Sequence, residues 1–314
     1  MSTPVPWREA WEAALYRPWG FYRHSAGPSA HFRTSVHASP LFAGAILRLA
    51  RSAGLDTVVD VGAGGGELLR ELSRLDPGLR LCGVDLGARP TDLPDRTSWT
   101  ETVPEVDGVL LANEWLDNVA CDVVEVTADG PRVVLVDPAT GMESVGPPPA
   151  PADREWLDRW WPLTQPGQRA EVGRSRDDAW AAAVGRLGRG LAVAVDYFHS
   201  VGARPYDGTL TGYRHGRQVD PVPDGSCDIT AHVALDACAA AVQGAHLLVP
   251  QRAALRALGV HGGRPPRALA SSDAPAYLAA LTAAGEAAEL TDAGGLGGFG
   301  WLVHAVGVPL PDLV

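Results

Sequence analysis

Two stretches hold most of the chemistry this sequence can do. In "TVVDVGAGGGELLREL" (Thr57–Leu72), β-branched residues run into Asp60, and glycines follow at 62, 64, 65 and 66. A tight turn between a buried strand and a helix lets a nucleotide-like ligand lie against bare backbone, where the first helical N–H groups are unpaired. In "LLANEWLDNV" (110–119), Glu114 and Asp117 follow an apolar run and so stand near the carboxyl end of a strand, where open α/β sheets bind ligands. A third stretch, "GTLTGYRHGRQ", brings Tyr213, Arg214, His215 and Arg217 together. Neutral His215 is suited to accepting a proton near pH 7, although a histidine in an arginine-rich loop also reads as a solvent-facing residue.

The glycine spacing separates two ligand classes. A dinucleotide fingerprint starting at Gly62 requires glycine at position 67, where this chain has Glu67. What stands there is D-x-G-x-G-x-G-x-L, from Asp60 to Leu68. Asp85 closes the next strand, where a carboxylate can accept hydrogen bonds from both ribose hydroxyls under either reading. The plain alternative is a strand–turn–helix with spare glycines.

Elements that must position these residues alternate along the chain. Periodicity predicts helices at 7–22 and 40–53, strands at Thr57–Val61, Leu81–Asp85 and Gly108–Ala112, and a helix from about Glu67 to Leu75. A hairpin runs from "CDVVEV" to "PRVVLVD", the Pro-rich "GPPPAPA" (146–152) is a linker, and 153–188 is a helical segment with Trp156, Trp160, Trp161 and Trp180. Trp156, Trp160 and Trp180 fit one helix face and so read as buried against the sheet, while an exposed cluster would mark a partner patch. "LAVAVDYF" reads as a buried parallel strand and is followed by a long aperiodic loop, well past ordinary loop lengths. Helices near 231–242, 251–257 and 273–284 and strands at 246–249 and 300–307 complete the pattern. The expected fold is α/β, a Rossmann-like, doubly wound, mostly parallel sheet with an inserted helical segment. Its parts are an N-terminal helical lead (1–55), a cofactor-binding half (56–145), the insertion (146–189) and a second half (190–314) with a substrate-covering loop at 199–230.

Composition excludes several classes of partner. The 314 residues carry a formal charge of -11, and all 26 basic residues are arginine. No general attraction to nucleic acid or an anionic membrane is expected, and a cationic partner is steered in more readily. The all-arginine bias and the abundance of Gly, Pro and Ala point to a GC-rich bacterial source. Cys82, Cys121, Cys227 and Cys238 form no C-x-x-C pair, no signal peptide opens the chain, and no apolar run approaches the ~20 residues that span a bilayer. The expectation is a cytoplasmic protein without a metal-ligand cluster.

Six further stretches occur in order: "EAALYRPWGFY" (12–22), "TSVHASPLFAGAI" (34–46), "LLANEWLDNVACDVVEV" (110–126), "AVDYFHS" (194–200), "GTLTGYRHGRQVDP" (208–221) and "DITAHV" (228–233). Together they resemble the MidA-type methyltransferases, which include the mitochondrial complex I assembly factor that dimethylates an arginine of a complex I subunit. The likeness spans residues 12 to 307, and the glycine loop itself resembles the first motif of class I S-adenosylmethionine-dependent methyltransferases.

The resemblance implies S-adenosyl-L-methionine as cofactor and S-adenosyl-L-homocysteine as product. Cofactor residues would be Asp60, Gly62, Ala63, Gly64, Gly66, Asp85, Leu86 and Asn113; catalytic residues Glu114, Asp117 and His215; substrate residues Arg33, His37, Asp196, Tyr213 and Arg214. For Glu114 and Asp117 the competing readings are an acid at a helix start and a surface helix position. Asp228, Thr230 and His232 read first as a helix N-terminus.

Departures from the family pattern lie on the acceptor side. Its D-Y-G-H is Asp196-Tyr197-Phe198-His199 here, its F-Y-T-S-P-E is Phe32-Arg33-Thr34-Ser35-Val36-His37, and of its G-Y-R-H-H only His215 remains of the histidine pair. Three functions follow: N-methylation of a protein arginine, as in a respiratory complex I subunit; the same chemistry on free L-arginine or a small guanidino metabolite, whose α-carboxylate Arg33 and His37 could face; or a noncatalytic module that binds S-adenosylmethionine or a protein. Partners are accordingly an arginine-containing protein or small guanidino compound, with a homodimer possible.

Overall fold

The apolar runs of the sequence become the middle of a seven-stranded sheet, because their residues are buried on both faces, as parallel strands covered by helices require. A computed structural model describes residues 3–24 and 34–314. In chain order the strands of this sheet are β1 (Thr57–Val61), β2 (Arg80–Val84), β3 (Ser98–Thr100), β4 (Val106–Asn113), β5 (Leu187–Asp196), β6 (Ala245–Pro250) and β7 (Gly300–Val306). Their spatial order is β6-β7-β5-β4-β1-β2-β3. β1 pairs parallel with β2 and β4, β2 with β3 and β4 with β5, whereas β6 and β7 are antiparallel. The order reverses between β1 and β4, and the carboxyl ends at such a switch point are where open α/β sheets bind ligands. The β4–β5 pairing needs a glycine, since a Cβ on Gly190 would collide with the Gly108 carbonyl oxygen.

Two compact units divide the chain: 1–32, 114–185 and 196–243 form the first, and 33–113, 186–195 and 244–314 the second. The second holds the seven-stranded sheet and the helices Pro40–Ser52, Glu67–Leu75, Gln251–Ala257 and Ala274–Thr291. Its buried Gln251 is satisfied from several sides, accepting from the Trp301 indole at 3.0 Å and donating to the Leu296 carbonyl at 3.0 Å.

In the first unit an antiparallel sheet runs Val5–Pro6, Gly130–Val136, Asp122–Thr127, Arg169–Val172, with Glu143–Val145 also paired to Gly130–Val136. Trp7, Trp11, Leu15, Val123, Val136 and Ile229 share one buried cluster, and the Trp11 indole donates to the Ile229 carbonyl at 2.8 Å. The chain leaves the second unit for the first at Asn113/Glu114 and again at Val195/Asp196, the carboxyl ends of β4 and β5.

The expected hairpin forms, with Thr127 opposite Gly130. Elsewhere the structure departs from the sequence reading. Segment 153–188 is two helices, Pro151–Trp160 and Arg174–Val184, with the strand Arg169–Val172 between them, so Trp156 and Trp180 lie on different helices. Both are buried, and the Trp156 indole ties the helices by donating to Asp177 at 2.7 Å.

The aperiodic stretch contains a three-stranded sheet of Thr211–Arg214, Arg217–Val219 and Asp228–Thr230. Its strands are too short to show alternation. Asp228 and Thr230 are therefore strand residues, and the next helix starts at Leu235. Among the described residues, no helix is long and apolar enough to cross a membrane.

Candidate functional site

The glycine loop takes its shape from β1 and β2. Backbone N–H groups of Gly62 and Ala63 both donate to the Val84 carbonyl, at 2.9 and 3.2 Å, which curls the chain over the end of β2. Gly62, Gly64 and Gly66 all have positive φ, between 53° and 75°, so glycine is the residue that turns here without strain. Asp85 is pinned by two N–H groups, from Gly64 at 2.9 Å and Gly87 at 2.7 Å. Leu86 beside it is exposed, and Asn113 ends β4 half-buried. Asp60 is buried, and burial followed by the charges of Asp85 and Glu67 pushes its carboxyl up to about 8.

This loop fits an adenosyl cofactor. A Cβ on Gly64 would meet nothing within 4 Å, so bare backbone borders open space next to the carboxylate of Asp85. That is the surface a ribose and its thioether arm need.

A buried carboxylate cluster forms in the first unit where the chain leaves β4 and β5. Asp196 accepts from the backbone N–H of Leu116 at 3.0 Å and of Asp117 at 3.3 Å, through Oδ2 in both cases. Asp117 accepts from the Thr230 hydroxyl at 2.8 Å, and Asp228 from the Tyr22 hydroxyl at 3.0 Å and the Asn118 amide at 3.3 Å. The second oxygens of Asp117 and Asp196 are buried and have no hydrogen-bond partner among the described residues.

Among the described residues, Arg176 is the fully buried cation beside this cluster. Arg176 is 1% exposed and spends its donors on the carbonyls of Asp117, His232 and Val119, at 2.7, 2.7 and 3.1 Å, with Trp11 stacked against its guanidinium. Burial, then repulsion from Asp117 and Glu114, raises Asp196 well above the carboxylate range despite Arg176. Burial likewise raises Asp117 against the pull of Thr230 and Arg176, and burial with the charge of Asp117 takes Asp228 to about 8. Tyr197 is held protonated by burial and by Glu114, Asp117 and Asp196, and its ring stacks on His232 at 5.6 Å.

Glu114 has a left-handed backbone, φ 53°, which among the described non-glycine residues only His215 shares. Such a conformation costs free energy and tends to concentrate where a side chain must be aimed. His215 has a different reason: with Gly216 (φ 73°) it forms the two-residue turn between strands Thr211–Arg214 and Arg217–Val219, and it is exposed.

Of the other sequence candidates, Tyr213 is half-buried and lies opposite Asp228 in the three-stranded sheet, while Arg214 is exposed. His37, read from the sequence as an acceptor-side group, packs instead beside the glycine loop, 3.6 Å from Glu67. Arg33 lies outside the described residues. Sequence reasoning missed Tyr22, Asn118, Arg176 and Tyr197 as members of the cluster, and only the neighbouring motifs "GFY", "LDN" and "VDY" gave a signal for three of them.

A family described as "Putative S-adenosyl-L-methionine-dependent methyltransferase" matches residues 68–252. A crystal structure from Burkholderia thailandensis bound to S-adenosyl-homocysteine has a TM-score of 0.82 at 24% identity, covering 98% of this chain and 89% of that one. A native crystal structure of an uncharacterized protein from the same organism has a TM-score of 0.78 at 25% identity, with coverage of 98% and 88%. No curated protein matches the sequence.

Proposed function

Because the chain belongs to the S-adenosyl-L-methionine-dependent methyltransferase family that matches it, we propose that it methylates a guanidino nitrogen of arginine, in a protein such as a respiratory complex I subunit. Its fold is the class I methyltransferase fold and its cofactor is S-adenosyl-L-methionine. The observation behind the acceptor class is the make-up of the buried cluster: among the described residues, the carboxyls of Asp117, Asp196 and Asp228, which burial drives towards their protonated forms, stand with Arg176 as the buried cation beside them. Such a pocket favours a cation that brings its own donors, and a guanidinium offers five N–H groups in a planar fork.

The cofactor supplies a methyl group already activated on a sulfonium, so the protein's task is chiefly to orient the nucleophile. In this reading the free oxygens of Asp117 and Asp196 accept from the fork and Glu114 fixes its tilt, its strained backbone aiming the carboxylate. The acceptor nitrogen would take the methyl group as its bond to the sulfonium sulfur breaks, the sulfur leaving as a neutral thioether, and the nitrogen's proton would pass to a carboxylate. Burial and like charge make Asp196 basic enough to take it. In the same reading Tyr197 and Tyr22, both packed against the carboxyl cluster, limit water there.

Glu114→Gln tests the clamp. Calorimetric titration with S-adenosylhomocysteine should give unchanged affinity, and mass spectrometry should detect no methyl transfer to an arginine peptide or to free L-arginine. Turnover by the variant would remove Glu114 from the mechanism. Wild-type transfer to free arginine in preference to peptide would move the acceptor to the small-molecule class.

A further inference from the structure

We propose that Glu67 and His37 form the seat for the amino-acid end of the cofactor, Glu67 receiving the α-ammonium and His37 donating to the α-carboxylate. The inference rests on the glycine loop being the S-adenosylmethionine site, and it assigns to that site two side chains that the sequence motif does not specify.

Glu67 opens the helix Glu67–Leu75, yet its side chain does not extend into solvent. It folds back onto the loop, and a Cβ built on Gly65 would collide with Glu67 Oε1. The carboxylate thus lies against the backbone on which the cofactor rests. Burial alone would raise Glu67, but the nearby His37 ring, the backbone N–H of Glu67 itself and the charge of Arg70 outweigh it and hold the group below its usual value, hence ionised.

His37 reaches the same place from the helix Ser35–Ala38. Its Nδ1 and the Thr34 hydroxyl are hydrogen-bonded at 2.7 Å, which fixes the ring plane. With Nδ1 accepting from that hydroxyl, Nε2 carries the proton of the neutral ring. Nε2 is buried and stands 3.6 Å from Glu67 Oε1, too far for a good hydrogen bond, so this donor is unsatisfied among the described residues. A buried N–H aimed past a carboxylate, beside a loop that binds a zwitterion, is short of one anionic oxygen.

The surrounding charges fit the same division of labour. Arg70 is engaged with the Gly65 carbonyl and with Asp92 at 2.7 Å. Asp85 and Glu67, whose charges help keep the proton on buried Asp60, form the acidic side of the loop, which attracts an ammonium and would repel a carboxylate unless a donor such as His37 met it.

The test compares two ligands on the full chain. S-adenosylhomocysteine carries the amino-acid end, and 5′-methylthioadenosine shares the adenosine and thioether but lacks it. By calorimetry, Glu67→Gln and His37→Ala should each weaken S-adenosylhomocysteine about tenfold or more, as expected for losing a hydrogen bond to a charged group. Each should bind 5′-methylthioadenosine within about twofold of wild type, which also reports that the loop is folded. Equal losses for both ligands, or wild-type affinity for S-adenosylhomocysteine, would overturn the assignment. If wild type bound neither ligand, the glycine loop itself would not be the cofactor site, and the seat would fall with it.

Discussion

At the residue scale, Glu114 is the most informative position, because backbone and side chain there have opposing demands. Its φ of 53° suits glycine, and its carboxylate adds repulsion to the buried Asp196. Left-handed backbone costs a non-glycine residue roughly 1–2 kcal/mol, while glycine gives back about 0.5–1 kcal/mol through its freer unfolded chain. Glu114→Gly should therefore melt no lower than wild type, and Glu114→Ala, which keeps the strain, should melt below Glu114→Gly. Neither should transfer a methyl group. Thermal melting beside the mass-spectrometric assay separates stability from activity, and a Glu114→Gly protein that melted clearly lower would mean that the side chain is held by contacts worth more than the strain. Arg176 shows the same tension in another form: one buried guanidinium organises three carbonyls and balances only part of the acidic charge around it.

At the element scale, the glycine loop is a piece of backbone whose lack of side chains is its function. Gly64→Ala puts a methyl group where nothing lies within 4 Å, so the unliganded protein meets no clash and pays only the left-handed penalty, about 1 kcal/mol. The same methyl fills the open face of the cradle. Affinity for S-adenosylhomocysteine should fall at least tenfold while melting shifts by only a few degrees, and an unchanged affinity would mean that the cofactor does not lie against Gly64. This loop was legible in the sequence because strand, glycines and amphipathic helix are all local patterns. So were β4 and β5, long apolar runs buried on both faces, and the carboxylates that follow them. The three short strands between residues 211 and 230 were not legible, since three or four residues cannot establish a period of two and their pairing is set by the His215–Gly216 turn and by contact with residues far along the chain. The carboxylate cluster was only half legible for the same reason. The hydrogen bonds that hold the cluster join distant residues, from 79 positions apart (Asp117 N–H to Asp196) to 206 (the Tyr22 hydroxyl to Asp228), and the burial of these carboxyls with Arg176 is a tertiary fact that no local spacing encodes.

At the scale of the whole molecule, both units keep a buried carboxyl with a raised pKa: Asp60 in one and Asp228 in the other, each at about 8. An unfolded aspartate titrates near 3.9, so in the folded state each of these groups holds its proton through a window where the unfolded chain has lost it. A folded pKa above the unfolded one contributes stability that is complete below about pH 4 and disappears as pH rises through about 8. His199 and His232 act in the other direction, burial lowering both, but they are neutral in folded and unfolded chains above about pH 6.5 and add nothing there. The unliganded protein should accordingly melt at progressively lower temperature from pH 6.5 to 8.5. Asp60→Asn and Asp228→Asn should each flatten part of that slope, and the double variant more than either, because sites in separate units contribute additively, while the raised Asp117 and Asp196 keep the rest. Melting that stayed level or rose across this range in the wild type would mean that both carboxyls are ionised in the folded protein. That would remove the buried proton, and with it the case for a pocket held in waiting for a cation, since carboxylates already stable as anions would need no guanidinium to neutralise them.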